Sequence, residues 1–193
     1  MDVARTMLMR MFGRPEGLLG KLKGAVMARM NRPAAAWGIG LLELRAGERV
    51  LEVGSGPGVA IEILAGAAPD LRIAGVDPSS EMVEQAARRN ATAIAKHAVE
   101  LRRGSADDLP FDGASFDAVL AVNSLQVWPA PLAGLREIRR VARPGGRLAL
   151  VFTPRSGQAQ AGIMELLADA GFAEVRVVEG DPGFAALARR PGP

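Results

Sequence analysis

The sequence contains no cysteine, no tyrosine and a single histidine, His97. The absence of cysteine excludes disulfides, thiolate metal ligands and a cysteine nucleophile. A single histidine also excludes metal sites that need two imidazole ligands. Because His97 falls at the end of a predicted helix, we expect it on the surface rather than in a site. We therefore expect no metal centre and no covalent catalysis through a thiolate.

Long apolar runs are also missing from the sequence. No stretch approaches the roughly 18 consecutive apolar residues of a membrane-spanning helix. The N-terminal sequence MDVARTMLMRMFGRP carries arginine within its apolar part and lacks a small-residue cleavage site, so no signal peptide is predicted. The chain has 193 residues, of which 49% are hydrophobic and 23% charged. We expect a cytoplasmic protein with one full hydrophobic core.

The net charge of +3 is concentrated near the N-terminus. Residues 1–32 contain seven basic and two acidic residues, whereas the rest of the chain is slightly acidic. The apolar residues of this stretch fall near one face of a helix: Leu18, Leu19, Leu22, Val26 and Met30. We treat residues 1–36 as an N-terminal helical segment and residues 37–193 as the main domain. Three interpretations of the segment stay open: helices packed on the domain, a lid over a substrate, or an arm that contacts a membrane surface or nucleic acid.

The stretch from Val50 to Gly58, VLEVGSGPG, is a short apolar run that ends in a glycine loop. Its valine and leucine residues predict a buried strand that ends at Val53. The glycines allow tight turns and let a ligand lie against bare backbone. A helix over Val59–Ala67 would follow, with its N-terminal N–H groups facing the ligand. The alternative is a strand-to-helix turn that binds nothing.

The spacing of the glycines separates two classes of nucleotide-type ligand. The dinucleotide fingerprint GxGxxG needs glycine at position 59, where this chain has Val59. The pattern here is GxGxG, preceded by the acidic residue Glu52. In this respect the sequence resembles the class I S-adenosylmethionine-dependent methyltransferases, whose first motif is a hydrophobic strand followed by E/D-x-G-x-G-x-G. The resemblance implies S-adenosylmethionine as the cofactor.

A second strand, Leu71–Val76, is predicted to end at Asp77. A carboxylate at this position of an α/β sheet can accept hydrogen bonds from both ribose hydroxyls of an adenosine. Alternatively, Asp77 or Ser79 caps the helix predicted over Glu81–Ala95. After a third strand, Val99–Arg103, the family pattern G-x-A-x-x-L-P places an acidic residue that accepts from the adenine amine. That residue is Asp107, which follows Ala106, while Asp108 can be solvated instead.

The fourth strand, Phe116–Val122, leads into a loop at the edge of the sheet where substrates bind in such folds. Its candidates for positioning a methyl acceptor are Asn123, Gln126 and Trp128, although Trp128 can instead simply cover the sheet edge. Many related enzymes place histidine in this loop, so the presence of Gln126 leaves any catalytic base unassigned. The residues that the resemblance assigns to the cofactor are Glu52, Gly54, Ser55, Gly56, Gly58, Asp77, Pro78, Ala106, Asp107 and Asn123.

The second half of the chain continues the same resemblance. A helix over Leu132–Ala142 turns its arginines outward, where we expect them to be solvated, and ARPGGRLAL matches the family's turn into the fifth strand. A helix over Ala161–Ala170 and strands over Val175–Glu179 and Phe184–Arg189 follow. The implied fold is a single-domain, Rossmann-like α/β methyltransferase fold. It has a mostly parallel seven-stranded sheet with an antiparallel last strand and helices on both faces.

The resemblance implies transfer of a methyl group by in-line displacement, in which positioning supplies much of the rate. Without cysteine the chain cannot methylate carbon 5 of pyrimidines through a thiolate. The D/N-P-P-Y/F motif of adenine- and glutamine-directed enzymes is also absent after strand four. Its absence favours a small-molecule acceptor and allows a lipid- or quinone-like one. Two alternatives stay open: an RNA methyltransferase that uses the basic N-terminus, and a cofactor-binding protein without transfer activity. The sequence favours neither a nucleic-acid partner nor a particular oligomeric state, and it allows peripheral membrane contact.

Overall fold

The computed structural model describes residues 30–192. In chain order its elements are α1 (residues 30–41), β1 (Arg49–Val53), α2 (Val59–Leu64), β2 (Arg72–Asp77), α3 (Ser80–Arg89), α4 (Ala91–Ala95), β3 (Val99–Arg103), β4 (Phe116–Val122), α5 (Pro131–Val141), β5 (Ala142–Phe152), α6 (Ile163–Asp169), β6 (Ala173–Gly180) and β7 (Gly183–Arg189). Short 3-10 turns, Leu125–Val127 and Pro154–Ser156, follow β4 and β5. Strands β3 and β4 have the bounds predicted from the sequence.

The seven strands form one sheet in the order β3-β2-β1-β4-β5-β7-β6. Strands β1 to β5 are parallel to one another, whereas β7 runs antiparallel to both of its neighbours, β5 and β6. The predicted fold class is therefore confirmed. The strand order reverses between β1 and β4, and ligands of open α/β sheets bind outside the carboxyl ends of the strands at such a point.

The sheet has a hydrophobic core on each face because successive side chains of a strand point to opposite faces. On one face Leu51 and Leu148 pack with helices α5 and α6. On the other face Val50 and Ala149 pack with helices α1 and α2. The central strands are buried on both sides, so their sequences are continuous apolar runs rather than alternating ones.

Helix α1 is part of the second core. Ala34, Ala35 and Ile39 are buried there. Gly38 lets the helix approach the sheet closely, since a Cβ at this position would lie 2.5 Å from Val151 Cγ2 and 3.0 Å from Leu120 Cδ1. The helix runs through positions 36 and 37, between which the sequence suggested a boundary. A separate N-terminal segment can therefore be proposed only for residues 1–29, which lie outside the described residues.

Two helices differ most from their predicted bounds, while those predicted over Leu132–Ala142 and Ala161–Ala170 differ by one or two residues at each end. The helix predicted over Glu81–Ala95 is divided at Asn90 into α3 and α4, because the Asn90 side chain donates to the carbonyls of Gly58 and Ala86 rather than extending into solvent. Helix α2 ends at Leu64, earlier than predicted. The N–H groups of Gly66 and Ala67 bond to the carbonyls three residues before them, as in a 3-10 turn, rather than four.

Residues 30–192 contain no helix that is long and apolar enough to cross a membrane. Over the same range no group of three or more aspartate, glutamate or histidine side chains is placed to hold a metal ion.

Candidate functional site

The predicted site residues lie together at the carboxyl ends of the parallel strands. The glycine loop follows β1, and Asp77 closes β2. The loop with Asp107 follows β3, and Asn123 follows β4. Because these strands are neighbours in a parallel sheet, the four loops meet at the edge where the strand order reverses.

The three glycines of the loop have different surroundings, although each has a positive φ. A Cβ on Gly54 would lie 2.6 Å from Ser124 Cβ. A Cβ on Gly58 would lie within 2.8 Å of Asn90 and Ala86 atoms. A Cβ on Gly56 would meet nothing within 4 Å. Gly54 and Gly58 are therefore required by packing, whereas Gly56 faces open space at the sheet edge.

Asp77 holds the glycine loop with both of its carboxylate oxygens. One oxygen accepts the N–H of Gly56 and the other accepts the N–H of Ser79, each at 2.9 Å. Burial raises the pKa of Asp77, and these two hydrogen bonds partly offset the effect. The N-cap of α3 is Ser79, whose hydroxyl accepts the N–H of Met82. Each oxygen of Asp77 keeps a second lone pair, so it can still accept a hydrogen bond from a ribose hydroxyl, and that contact stays a prediction.

Glu52 and Ser55 carry buried polar atoms without a hydrogen-bond partner. Glu52 is 3% exposed, and both its Oε2 and the Ser55 hydroxyl oxygen lack a partner. Burial raises the pKa of Glu52 well above its ordinary value, and the nearby Asp77 carboxylate raises it further, while a backbone hydrogen bond from Ile61 acts in the opposite direction. Buried polar atoms without partners are rare in folded proteins. Glu52 lies in β1 and Ser55 in the glycine loop that follows it, so both oxygens fit a ligand that supplies hydrogen-bond donors at this loop.

The raised pKa of Glu52 predicts a pH dependence of stability. In the pH range between its ordinary pKa and its raised pKa, the folded protein binds more protons than the unfolded chain, so stability falls as the pH rises through this range. We expect Glu52→Gln, which resembles the protonated acid, to raise the Tm of the cofactor-free protein near neutral pH by about 2–4 °C. That shift corresponds to about 1 kcal/mol in a domain of this size.

Thermal unfolding of both proteins between about pH 4.5 and pH 8 measures this effect. The pH dependence of the variant should be shallower, with the contribution of Asp77 remaining. Glu179→Gln, an exposed substitution on β6, is the matched control and should reproduce the wild-type curve. A Glu52→Gln curve parallel to that of the wild type would show that Glu52 does not titrate differently in the folded state.

The loop after β3 presents Asp107 to solvent and buries Ala106. The Ser105 hydroxyl donates to the Asp107 carboxylate, which fixes its direction. Pro78, on the neighbouring loop, is exposed and its carbonyl accepts from Arg103 Nε at 3.2 Å. The roles of these residues toward an adenine ring stay predictions.

Two side chains of α5 hold the loop after β3, and sequence reasoning missed them. Glu137 accepts the N–H of Leu109 at 3.0 Å. Arg140 donates to the carbonyls of Leu109 and Phe111 at 2.9 and 2.8 Å, and its hydrogen bonds to Glu137 lower the pKa of that carboxyl. The expectation that the arginines of α5 are merely solvated is therefore wrong for Arg140. It is also wrong for Arg139, which donates to the carbonyl of Gly171. The spacing of Glu137 and Arg140 on one helix face was the available signal.

The three acceptor candidates after β4 are used differently. Asn123 accepts the N–H of Thr153 at 2.8 Å and donates to Asn31 Oδ1 at 2.9 Å and to Thr153 Oγ1, so its amide is occupied. Trp128 is 6% exposed in the hydrophobic core, where a Cβ on Gly134 would lie 2.7 Å from its ring. Gln126 differs from both, because its Oε1 is buried and has no hydrogen-bond partner.

Comparison with known proteins relates these features to a family. Residues 51–150 match the model of a methyltransferase domain. The chain is 32% identical over 138 residues to the uncharacterized methyltransferase YdaC of Bacillus subtilis, which covers 72% of this chain and 74% of YdaC. It is 34% identical over 110 residues to the ubiquinone/menaquinone biosynthesis C-methyltransferase UbiE of Geotalea daltonii, covering 55% of this chain and 47% of UbiE.

A third relative is the fatty-acid O-methyltransferase of Mycolicibacterium smegmatis, 40% identical over 100 residues, with 52% of this chain and 35% of the relative covered. The chain thus spans less than half of the latter two proteins. Among solved structures, a SAM-dependent methyltransferase from Aquifex aeolicus superposes with a TM-score of 0.76 over 86% of this chain and 96% of that one, at 23% identity. The chain therefore belongs to the methyltransferase-domain family as a class I S-adenosylmethionine-dependent methyltransferase, with S-adenosylmethionine as its cofactor.

Proposed function

We propose that this methyltransferase acts on a small, largely apolar acceptor of the lipid or quinone type. The observation that carries the proposal is the composition of the loop after β4, where the acceptor is expected. This loop contains no ionisable side chain, and its only buried polar atom without a partner is Gln126 Oε1. Leu125 and Trp128 of the same loop are buried in the hydrophobic core. The names of two relatives, a quinone C-methyltransferase and a fatty-acid O-methyltransferase, support an acceptor of this class.

The residues at the carboxyl edge of the sheet fit the cofactor. Gly56 leaves room for a ligand against the backbone, and Asp77 offers lone pairs to the ribose hydroxyls. Glu52 and Ser55 provide buried oxygens that lack partners. Asp107 completes the set beside the adenine ring. We propose that these five residues form the cofactor-binding surface and that Gly54 and Gly58 support it through packing.

S-adenosylmethionine supplies a methyl group bonded to a positively charged sulfur, which is a good leaving group. The task of the chain is then to bind the acceptor close to that methyl group, to orient it and to exclude water. The loop after β4 has no side chain that could take a proton at neutral pH. Positioning rather than general-base catalysis is therefore the mechanism that we propose.

The proposal is tested by following labelled methyl groups from S-adenosylmethionine into cell-extract fractions. We expect label in the fraction extracted by organic solvent and none in RNA. An Asp77→Ala variant, processed in parallel, controls for transfer by contaminating enzymes. Label in RNA would instead support the RNA methyltransferase. If the protein binds the cofactor but labels no fraction, it is a cofactor-binding protein without transfer activity.

The first residues of α1 indicate where residues 1–29 join the domain. Asn31 accepts from Asn123 after β4, and Arg32 forms an ion pair with Glu62 on α2 at 2.9 Å. Both contacts lie at the end of the sheet that carries the glycine loop. We propose that residues 1–29 cover the acceptor from this position and exclude water from it.

Deletion of residues 1–29 tests this role. Because α1 and its contacts are kept, we expect the shortened protein to stay folded and to bind S-adenosylmethionine within a few-fold of the full chain, while methyl transfer is lost. Circular dichroism, calorimetry and the labelled-methyl assay measure the three properties. Persistent transfer would refute the covering role. An unfolded product would show that residues 1–29 are core structure.

A further inference from the structure

We infer that Gln126 selects the methyl acceptor, because its Oε1 accepts a hydrogen bond from an O–H or N–H group of that molecule. The inference rests on the proposed function and names the chemistry of the acceptor more closely. The acceptor class then includes apolar molecules that carry a hydroxyl or an amine group. It excludes acceptors that present only a carboxylate, since a carboxylate has no hydrogen to donate at neutral pH, and so separates this protein from the fatty-acid O-methyltransferase within the proposed lipid or quinone class.

The orientation of the Gln126 amide is fixed by its neighbour. Its Nε2 donates to the carbonyl oxygen of Asn123 at 2.7 Å. The opposite orientation would place two acceptor oxygens against each other, so the assignment of nitrogen and oxygen is determined. The carbonyl itself is held in place because Asn123 has a left-handed backbone conformation, φ 49°, and its side chain is bound to Thr153 and Asn31. Oε1 therefore points in one defined direction.

Among residues 30–192, no group donates a hydrogen bond to Oε1. The atom is shielded from solvent and has no hydrogen-bond partner. The neighbours of Gln126 in the sequence, Leu125, Val127 and Trp128, are apolar. The Gln126 Nε2 already donates to the carbonyl of Asn123. A buried acceptor without a donor is unfavourable, and native proteins keep few of them. A ligand with a hydrogen-bond donor removes this penalty when it binds, whereas a ligand without a donor does not. Oε1 therefore favours acceptors that carry a donor.

The loop that carries Gln126 is joined to the glycine loop through Ser124. Ser124, two residues earlier, donates to the carbonyl of Val53 at 3.0 Å, and its Cβ lies where a side chain on Gly54 would have to be. The 3-10 turn Leu125–Val127 begins at the residue after Ser124, directly next to this contact in the chain. We therefore place a molecule bound to Oε1 at the carboxyl ends of the strands, where the cofactor is proposed to bind.

The chemistry of the labelled product tests the acceptor class before its identity is known. Methyl esters, formed on carboxylates, release labelled methanol in mild alkali, whereas methyl ethers, methylamines and C-methyl groups do not. We expect the labelled product of the organic-solvent fraction to be stable in alkali. Release of the label as methanol would overturn the inference, while leaving the proposed methyltransferase function intact.

The role of the residue is tested with Gln126→Met, which keeps the size of the side chain and removes Oε1 together with the Nε2 donor to the Asn123 carbonyl. We expect KM for the labelled fraction to rise about tenfold, the effect of one lost hydrogen bond to a buried group, while the affinity for S-adenosylmethionine and the Tm change little. The matched control is Gln158→Met, since Gln158 Nε2 also donates to a backbone carbonyl, that of Ala159 at 2.9 Å, on the loop after β5. It should leave KM unchanged.

The outcomes distinguish a failure of the inference on Gln126 from a failure of the proposed function. An unchanged KM in Gln126→Met, with transfer otherwise normal, would refute the role of Gln126 alone. A parallel loss of cofactor affinity would show that the residue supports the fold of the site and does not select the acceptor. Absence of transfer by the wild-type protein in every fraction would refute the proposed function, and with it this inference.

Discussion

Replacing Gly56 with valine is expected to weaken the binding of S-adenosylmethionine by at least about 100-fold, or about 2.7 kcal/mol, in a protein that stays folded. A Cβ at position 56 would meet no protein atom within 4 Å, so the added side chain would occupy only the space left for the ligand. The positive φ of Gly56 makes valine strained there, at about 1–3 kcal/mol. The fold should tolerate this cost, whereas the cofactor would lose its place against the backbone.

Gly58→Val is the matched comparison, because Gly58 has the same type of backbone conformation in the same loop. Here the added Cβ would lie 2.8 Å from the Ala86 backbone, so steric overlap adds to the strain. We expect a much larger fall in Tm for Gly58→Val than for Gly56→Val, and calorimetry on the folded fractions to show the binding defect in the latter. Equal losses of stability, or normal binding by folded Gly56→Val, would contradict the assignment of Gly56 to the ligand.

Replacing Asp77 with alanine is expected to weaken cofactor binding by about 10- to 150-fold, the effect of losing charge-assisted hydrogen bonds worth about 1.5–3 kcal/mol. The carboxylate is buried at the end of β2 and holds the N–H groups of Gly56 and Ser79. Its removal would therefore act twice, by deleting the proposed contacts with the ribose and by releasing the glycine loop. Isothermal calorimetry with S-adenosylmethionine and with its demethylated product measures the change.

Asp117→Ala separates these effects from the general loss of a structural carboxylate. Asp117 also accepts a backbone N–H, that of Arg49 at 2.8 Å, but it lies near the start of β4, at the opposite edge of the sheet. We expect this variant to lose some stability and to keep its cofactor affinity. If Asp77→Ala retains wild-type affinity, the ribose assignment is wrong. If both variants lose affinity equally, the effect belongs to the fold.

Local features of the sequence predicted much of the architecture. Strand β4 was predicted with its observed bounds because its apolar, β-favouring run ends at the polar Asn123, and β3 because Val99 and Leu101 alternate with charged residues before Gly104. The glycine loop and the acidic residues after β1, β2 and β3 were likewise visible as spaced motifs. These signals lie within a few residues of one another, where sequence patterns carry most of their information.

The functions of individual residues within the site depended on contacts between distant parts of the chain. Gly58 is distinguished from Gly56 by Asn90, which lies 32 residues away in the sequence. Asn123 is distinguished from Gln126 by its bonds to Thr153 and to Asn31, and the latter is 92 residues away. Contacts between residues so far apart in the sequence leave no local pattern. The sequence alone therefore could not rank Asn123, Gln126 and Trp128 as candidates.

The close packing of Gly38 has a consequence for the order in which the domain is built during synthesis. Helix α1 is made before any strand, yet its partners Leu120 and Val151 belong to β4 and β5. The part of α1 that packs at Gly38 therefore lacks these two partners until most of the chain has left the ribosome, although Val50 of β1 already belongs to the same core. Contacts between such distant segments slow folding and expose apolar surface during the delay. We expect nascent chains that end before β5 to depend on chaperones, and folding to be completed only after Val151 has emerged.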